Sequence, residues 1–226
     1  MNETKDARDV FAEYFREHPL TDADREEVMR RWQESNHPVA LTWDRKRWVG
    51  ENVPRKIRPD IDREEILTDG QRYAIGQITG FRKDAVVYGP NGSGKSLVGW
   101  RVVADALEAG RSAACITALE IVEKAKSVMA YRSPSEWLDE NYGSARYGLL
   151  VIDEVAKRSG SDWETSLLQT FIDRRYEDEA QTVVIGNFQS DADAADSIGQ
   201  SAFDRLTDVR SGISVMLGGK SFRRGR

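Results

Sequence analysis

Eight residues constrain this chain more than any others. Gly89 to Ser96 read GPNGSGKS and satisfy the pattern G-x-x-x-x-G-K-[ST]. That pattern has meaning only where an apolar strand runs in and a helix runs out. Both flanks comply. DAVVYG (84–89) is short, apolar and β-rich, and KSLVGWRVVADALEAG (95–110) has an amphipathic helical period closed by Gly110. The glycines let successive backbone N–H groups turn inward at a helix N-terminus, where the dipole favours anions. The predicted phosphate cradle is Gly89, Pro90, Asn91, Gly92, Ser93, Gly94, Lys95, Ser96 and Leu97. Lys95 is expected to neutralise β- and γ-phosphate oxygens, and Ser96 to coordinate Mg²⁺.

The strand-then-helix pattern repeats. Further strands are expected at SAACIT (112–117), YGLLVIDE (147–154), QTVVIGN (181–187) and ISVMLGG (213–219), with a helix at SLLQTFIDRRYEDE (166–179). Short apolar strands alternating with amphipathic helices predict a three-layer α/β domain around a mostly parallel five-stranded sheet. The expected fold is a P-loop NTPase domain over 51–226, preceded by a helical partner-binding segment and linker over 1–50. In that segment Val10, Phe11, Tyr14 and Phe15 recur at helical spacing until His18-Pro19. Thr21 with Asp24 opens a second short helix carrying Val28, Met29 and Trp32. So small a pair cannot bury its apolar faces alone and must dock on the main domain or on another protein. Residues 36–60, with Pro38, Pro54 and Pro59 and two tryptophans that look exposed, Trp43 and Trp48, read as an irregular connector.

The strand LLVIDE delivers Asp153 to the C-terminal edge of the sheet, where an aspartate completes a Mg²⁺ site with Ser96. The adjacent Glu154 suits a general base that orients water toward a γ-phosphate, a group that a small-molecule kinase does not need. Asn187, just beyond the next buried strand, is a candidate bridge between water and phosphate. Late in the chain, Arg205 in SAFDRLTD and Arg223 in KSFRR are conspicuous, because a placed arginine neutralises transition-state charge in phosphoryl transfer. The N-K-x-D signature of guanine readers is missing from the sequence, which favours ATP.

Bulk properties narrow the class. With 39% hydrophobic and 31% charged residues over 226 positions, the composition is that of a globular protein. No apolar run approaches the roughly 20 residues of a membrane span. Cys115 is the single cysteine, so an intramolecular disulfide and a cysteine-based zinc site are both excluded. It reads as a small buried hydrophobe in a strand. These features point to the cytoplasm. The net charge of −5 provides no global field for nucleic acid, although RKRWVGENVPRKIR (45–58) and the C-terminal KSFRRGR are locally basic.

The series GPNGSGKS, LLVIDE, FIDRRYEDEAQTVVIGN, FDRL and SFR resembles the AAA+ ATPases of the DnaC/DnaI helicase-loader group and the related IstB transposition helpers. The likeness runs over roughly residues 50–226. It implies that Arg205 is an arginine finger offered to a neighbouring subunit's ATP, that Arg223 is the sensor 2 arginine, and that Asn187 is sensor 1. VPRKIR (53–58) resembles the family's entry segment. EIVEKAKSVMAYRSP (120–134) falls where loaders carry a helical element facing single-stranded DNA, with Lys124, Lys126 and Arg132 as candidate contacts. Where the family often reads G-E-R-V-x-D-R-L, this chain reads GQSAFDRL, so Ser201 replaces a common second arginine. The short chain fits a phage-encoded version.

The resemblance therefore implies an ATP- and Mg²⁺-dependent helicase loader for replication initiation. Its partners would be a replicative DNA helicase, single-stranded DNA and further copies of itself, and its hydrolysis would depend on self-association and DNA. An IstB-like transposition helper is the alternative, and a P-loop kinase a more distant one.

Overall fold

The computed structural model describes residues 44–155 and 161–218. The chain divides into two units at Asp44, and every element below belongs to the second, from Arg45 onward. The expected N-terminal helical pair, Trp43 and Arg223 lie outside the described residues.

Alternation within each strand builds two cores. In β1 (Asp84–Tyr88), Val86 and Tyr88 join one apolar cluster, while Ala85 and Val87 join the other. The same division runs through β3 (Leu149–Asp153) and β4 (Gln181–Gly186): Leu150, Ile152 and Val184 on one face, Leu149, Val151, Val183 and Ile185 on the other. With β2 (Ala113–Thr117) and β5 (Gly212–Met216) they form a five-stranded sheet of order β2-β3-β4-β1-β5. Every pairing is parallel. Parallel neighbours need crossover connections, and buried faces on both sides need helices over both.

The helices supply that cover. On one face lie α2 (Asp69–Gly80) and α3 (Lys95–Glu108), through Ala74, Ile78, Val98, Val102 and Val103. The other face is covered by α4 (Ala118–Val128), α5 (Pro134–Tyr142), α6 (Asp162–Glu177), α7 (Asp191–Ile198) and α8 (Gln200–Leu206). Helix α3 sits close to the sheet because Gly99 has no side chain. A Cβ there would stand 2.6 Å from Ile185 Cδ1. The expected three-layer α/β P-loop architecture is thus the observed one. Cys115 packs with the α3 face as a hydrophobe, and burial pushes its thiol well above the usual range.

The connector expected over 36–60 is not irregular throughout. Arg45–Asn52 form a helix, α1. Its Trp48 lies 6.2 Å from Trp100 of α3, ring centre to ring centre, so this tryptophan is partly buried rather than exposed. Arg45 bonds Asp62, Asp105 and Glu108 at 2.7–2.8 Å. Part of the basic stretch is therefore spent inside the domain. Propensity alone would not hold eight residues helical in water; the packing on α3 does.

Candidate nucleotide site

The loop between β1 and α3 takes the shape its glycines permit. Gly89, Gly92 and Gly94 have φ of 140°, 85° and 84°, values that side chains rarely allow. Gly89 is also pressed from behind: a Cβ would fall 2.3 Å from the carbonyl of Leu217, whose own N–H donates to Tyr88 O at 2.7 Å. The chain after β5 thus backs the loop. Inside it, Lys95 Nζ donates to the carbonyls of Gly89 at 2.7 Å and Pro90 at 2.8 Å. Lys95 is 8% exposed, so the loop already shelters a cation. Ser96 and Leu97 follow in the first turn of α3.

Sheet order places the other predicted groups. Because β4 lies between β3 and β1, three strands end side by side at one edge. The phosphate loop follows β1, Asp153 ends β3, and Asn187 follows β4, half-buried. Asp153 is 6% exposed, and its Oδ1 accepts the Glu154 N–H at 2.7 Å. Glu154 has φ of 59°. A non-glycine residue in that region costs roughly 1–2 kcal/mol, so the chain bends sharply straight after the buried aspartate. The long helix that follows takes Ser161 as its cap, not Glu154. Mg²⁺ keeps several waters and binds through one or two carboxylates plus phosphate oxygens. Asp153 with the Ser96 hydroxyl matches that modest demand. Among the described residues no cluster of three or more His, Cys, Asp or Glu offers a denser cage.

Arg205 stands apart from this edge group. Its guanidinium lies 3.1 Å from Asp173 and 3.6 Å from Glu177, both on α6, and 5.5 Å from the Tyr176 ring centre. The three candidate DNA contacts are also engaged within the chain. Lys124 bonds the Tyr142 hydroxyl, Lys126 pairs with the buried Glu164, and Arg132 pairs with Glu140. Between α4 and α5, Met129 and Tyr131 are exposed large hydrophobic groups.

One residue of the site was not singled out from the sequence. Gln71 of α2 is fully buried, and its Nε2 donates to the loop carbonyl of Ser93 at 2.8 Å. Its signal was present, since Thr68-x-x-Gln71 is a capping box.

The chain matches no protein-family model and no curated protein by sequence. Solved structures do match it. The crystal structure of the DnaC helicase loader aligns at a TM-score of 0.60 and 17% identity, over 73% of this chain and 100% of that one. The crystal structure of DnaI gives 0.56 and 14%, over 74% of this chain and 93% of that one. The replication initiator DnaA, bound to AMPPCP and single-stranded DNA, gives 0.56 and 16%, over 69% of this chain and 48% of that one. At these identities the likeness establishes the fold: the chain shares the α/β P-loop architecture of the DnaC, DnaI and DnaA structures.

Proposed function

We propose that this chain is an ATP-hydrolysing helicase loader that delivers a replicative DNA helicase onto single-stranded DNA in the cytoplasm. The observation that carries the reading is the shared strand edge. A phosphate loop with its lysine, a buried aspartate, a glutamate on a strained turn and a strand-end asparagine meet there, on a fold shared with DnaC.

Each group has a role. Backbone amides of residues 89–96 and the Lys95 ammonium hold the ATP phosphates, and Lys95 exchanges its two loop carbonyls for phosphate oxygens. Ser96 and Asp153 would hold Mg²⁺, which would supply neutralisation of the phosphate charge. Glu154 orients a water and takes its proton, while Asn187 steadies that water. Arg205 of an adjacent copy and Arg223 of the same chain neutralise the charge that develops on the γ-phosphoryl group. The segment 1–50 grips the helicase. The α4–α5 element faces single-stranded DNA, in keeping with the DNA-bound state of DnaA, a structural neighbour. Glu154 favours water as acceptor over a metabolite.

The test is orthophosphate release from ATP, measured against protein concentration with and without single-stranded DNA, together with loading of the host helicase onto a single-stranded circle. Turnover per molecule should rise with concentration, and loading should require ATP. Release that stays strictly proportional to protein and never promotes loading would overturn the proposal.

A further inference from the structure

We infer that Gln71 is a positioning residue that aims one amide of the phosphate loop; the inference rests on reading that loop as a nucleotide site. Gln71 lies 18 residues before Gly89 in sequence and belongs to a different helix. Its side-chain amide is fully buried and used at both ends. Oε1 accepts the Thr68 N–H at 2.9 Å, and Nε2 donates to Ser93 O at 2.8 Å. The first bond is half of a helix cap; the second has no part in the cap. A buried primary amide spends a donor on the loop only where the loop's carbonyl is fixed to receive it.

The peptide unit between Ser93 and Gly94 explains what that bond does. The unit is planar and trans, so its C=O and N–H point in opposite directions. Gln71 holds the carbonyl toward α2. The Gly94 N–H is thereby turned away from α2, toward the space that the loop encloses. Gly94 is the N-cap of α3, with φ of 84° and ψ of 15°, so its N–H lies among the donors that no helical carbonyl takes up. Ser93 N–H, in contrast, is held by Pro90 O at 3.2 Å. The Ser93 hydroxyl is buried without a hydrogen-bond partner, so the side chain does nothing to fix the orientation of this peptide. Rotation of the 93–94 unit is restrained from outside the loop, by Gln71.

Two substitutions separate aiming from capping. Gln71→Glu is isosteric and keeps an oxygen for Thr68 N–H, but it sets a second oxygen against the Ser93 carbonyl. Thr68→Ala removes the hydroxyl of the cap and leaves the Gln71–Ser93 bond in place. With ATPγS as probe, Gln71→Glu should bind 10- to 100-fold more weakly than the parent protein, and Thr68→Ala within threefold of it. With ATP, Gln71→Glu should raise KM by a similar factor and change kcat by less than fivefold, because the amide contacts phosphate before and during transfer. Should Gln71→Glu fail to fold, Gln71→Met, which removes both donor and acceptor, replaces it under the same expectations. It is read beside Thr68→Pro, which removes the capping N–H at a compatible φ of −74° and leaves the Ser93 bond in place. Unchanged ATPγS affinity in the Gln71 variant overturns the inference, and so does an equal loss in Thr68→Ala. Lys95→Ala is the control for the underlying reading. If that variant binds ATPγS normally, the nucleotide site itself is misplaced.

Discussion

The guanidinium of Arg205 rests 3.1 Å from the carboxylate of Asp173 in its own chain. Neither of the two atoms that approach has an aligned hydrogen bond, so the pair is held by charge rather than geometry. Burial holds the Asp173 carboxyl above its ordinary range, against the opposing pull of Arg205. An arginine that completes a neighbour's site must leave this acid. Arg205→Ala should therefore lower ATP turnover about 10³-fold at protein concentrations that permit assembly, with ATPγS affinity retained. Asp173→Asn should raise turnover at low concentration, since it frees the same arginine. Both are read from phosphate release against protein concentration. If Arg205→Ala hydrolyses ATP at the parent rate, Arg205 is only a brace between α8 and α6.

Glu154 and Asp153 are adjacent but stand in different surroundings. Asp153 is buried at the strand end, whereas Glu154 sits beyond the strand on a left-handed turn. Replacing Glu154 with Gln keeps the size and removes the carboxylate proposed as the base. Hydrolysis should fall by roughly 10²–10⁴ with nucleotide affinity preserved, so the variant should trap bound ATP. Equal losses of binding and hydrolysis would place Glu154 among the binding groups instead.

How far the sequence revealed this depends on the range of each interaction. The phosphate loop and the strand ends were legible because glycine conformation and apolar alternation are local. Asp153, Glu154 and Asn187 could be placed on one edge from strand–helix order alone. Helix α1 was missed because its reasons are distant: Trp100, Asp105 and Glu108 lie more than fifty residues away. The partners of Arg205 and Lys126 were hidden for the same reason, as ion pairs between helices leave no periodic trace. Gln71 was legible as a cap and illegible as a clamp, since only the fold brings Ser93 to it.

Asp84 should make stability pH-dependent. It is buried at the start of β1, its Oδ1 accepts the Thr182 N–H at 2.6 Å, and burial pushes its carboxyl up from 3.8 to about 6. Nearby Arg175, itself buried, is pulled down to about 10. An acid with a raised pKa favours the fold most below its unfolded value and loses that contribution as pH rises through about 6. Between pH 5 and pH 8 this amounts to roughly 1–1.5 kcal/mol. Asp84→Asn cannot ionise. Urea unfolding should therefore show the variant gaining on the parent by that amount across this range. A constant difference at the two pH values would assign Asp84 an ordinary carboxyl.

Two helices end in the same motif with different residues at the critical position. At the end of α3, Arg111 N–H bonds Ala106 O and Gly110 N–H bonds Leu107 O, with Gly110 at φ 73°. At the end of α6, Ala180 N–H bonds Arg175 O and Glu179 N–H bonds Tyr176 O, with Glu179 at φ 55°. This is the Schellman arrangement, which favours glycine at the left-handed position. Glu179 is exposed and bears the cost of that conformation with a Cβ in place. Glu179→Gly removes the cost, about 1–2 kcal/mol, and gives back part of it through a more flexible unfolded chain. The net gain should be about 1 kcal/mol, or roughly 2–4 °C in Tm for a domain of this size. Glu179→Ala keeps the Cβ and should gain nothing. Thermal unfolding of the pair by circular dichroism decides the matter: a glycine variant that melts no later than the alanine variant means that the α6 terminus bears no strain at position 179.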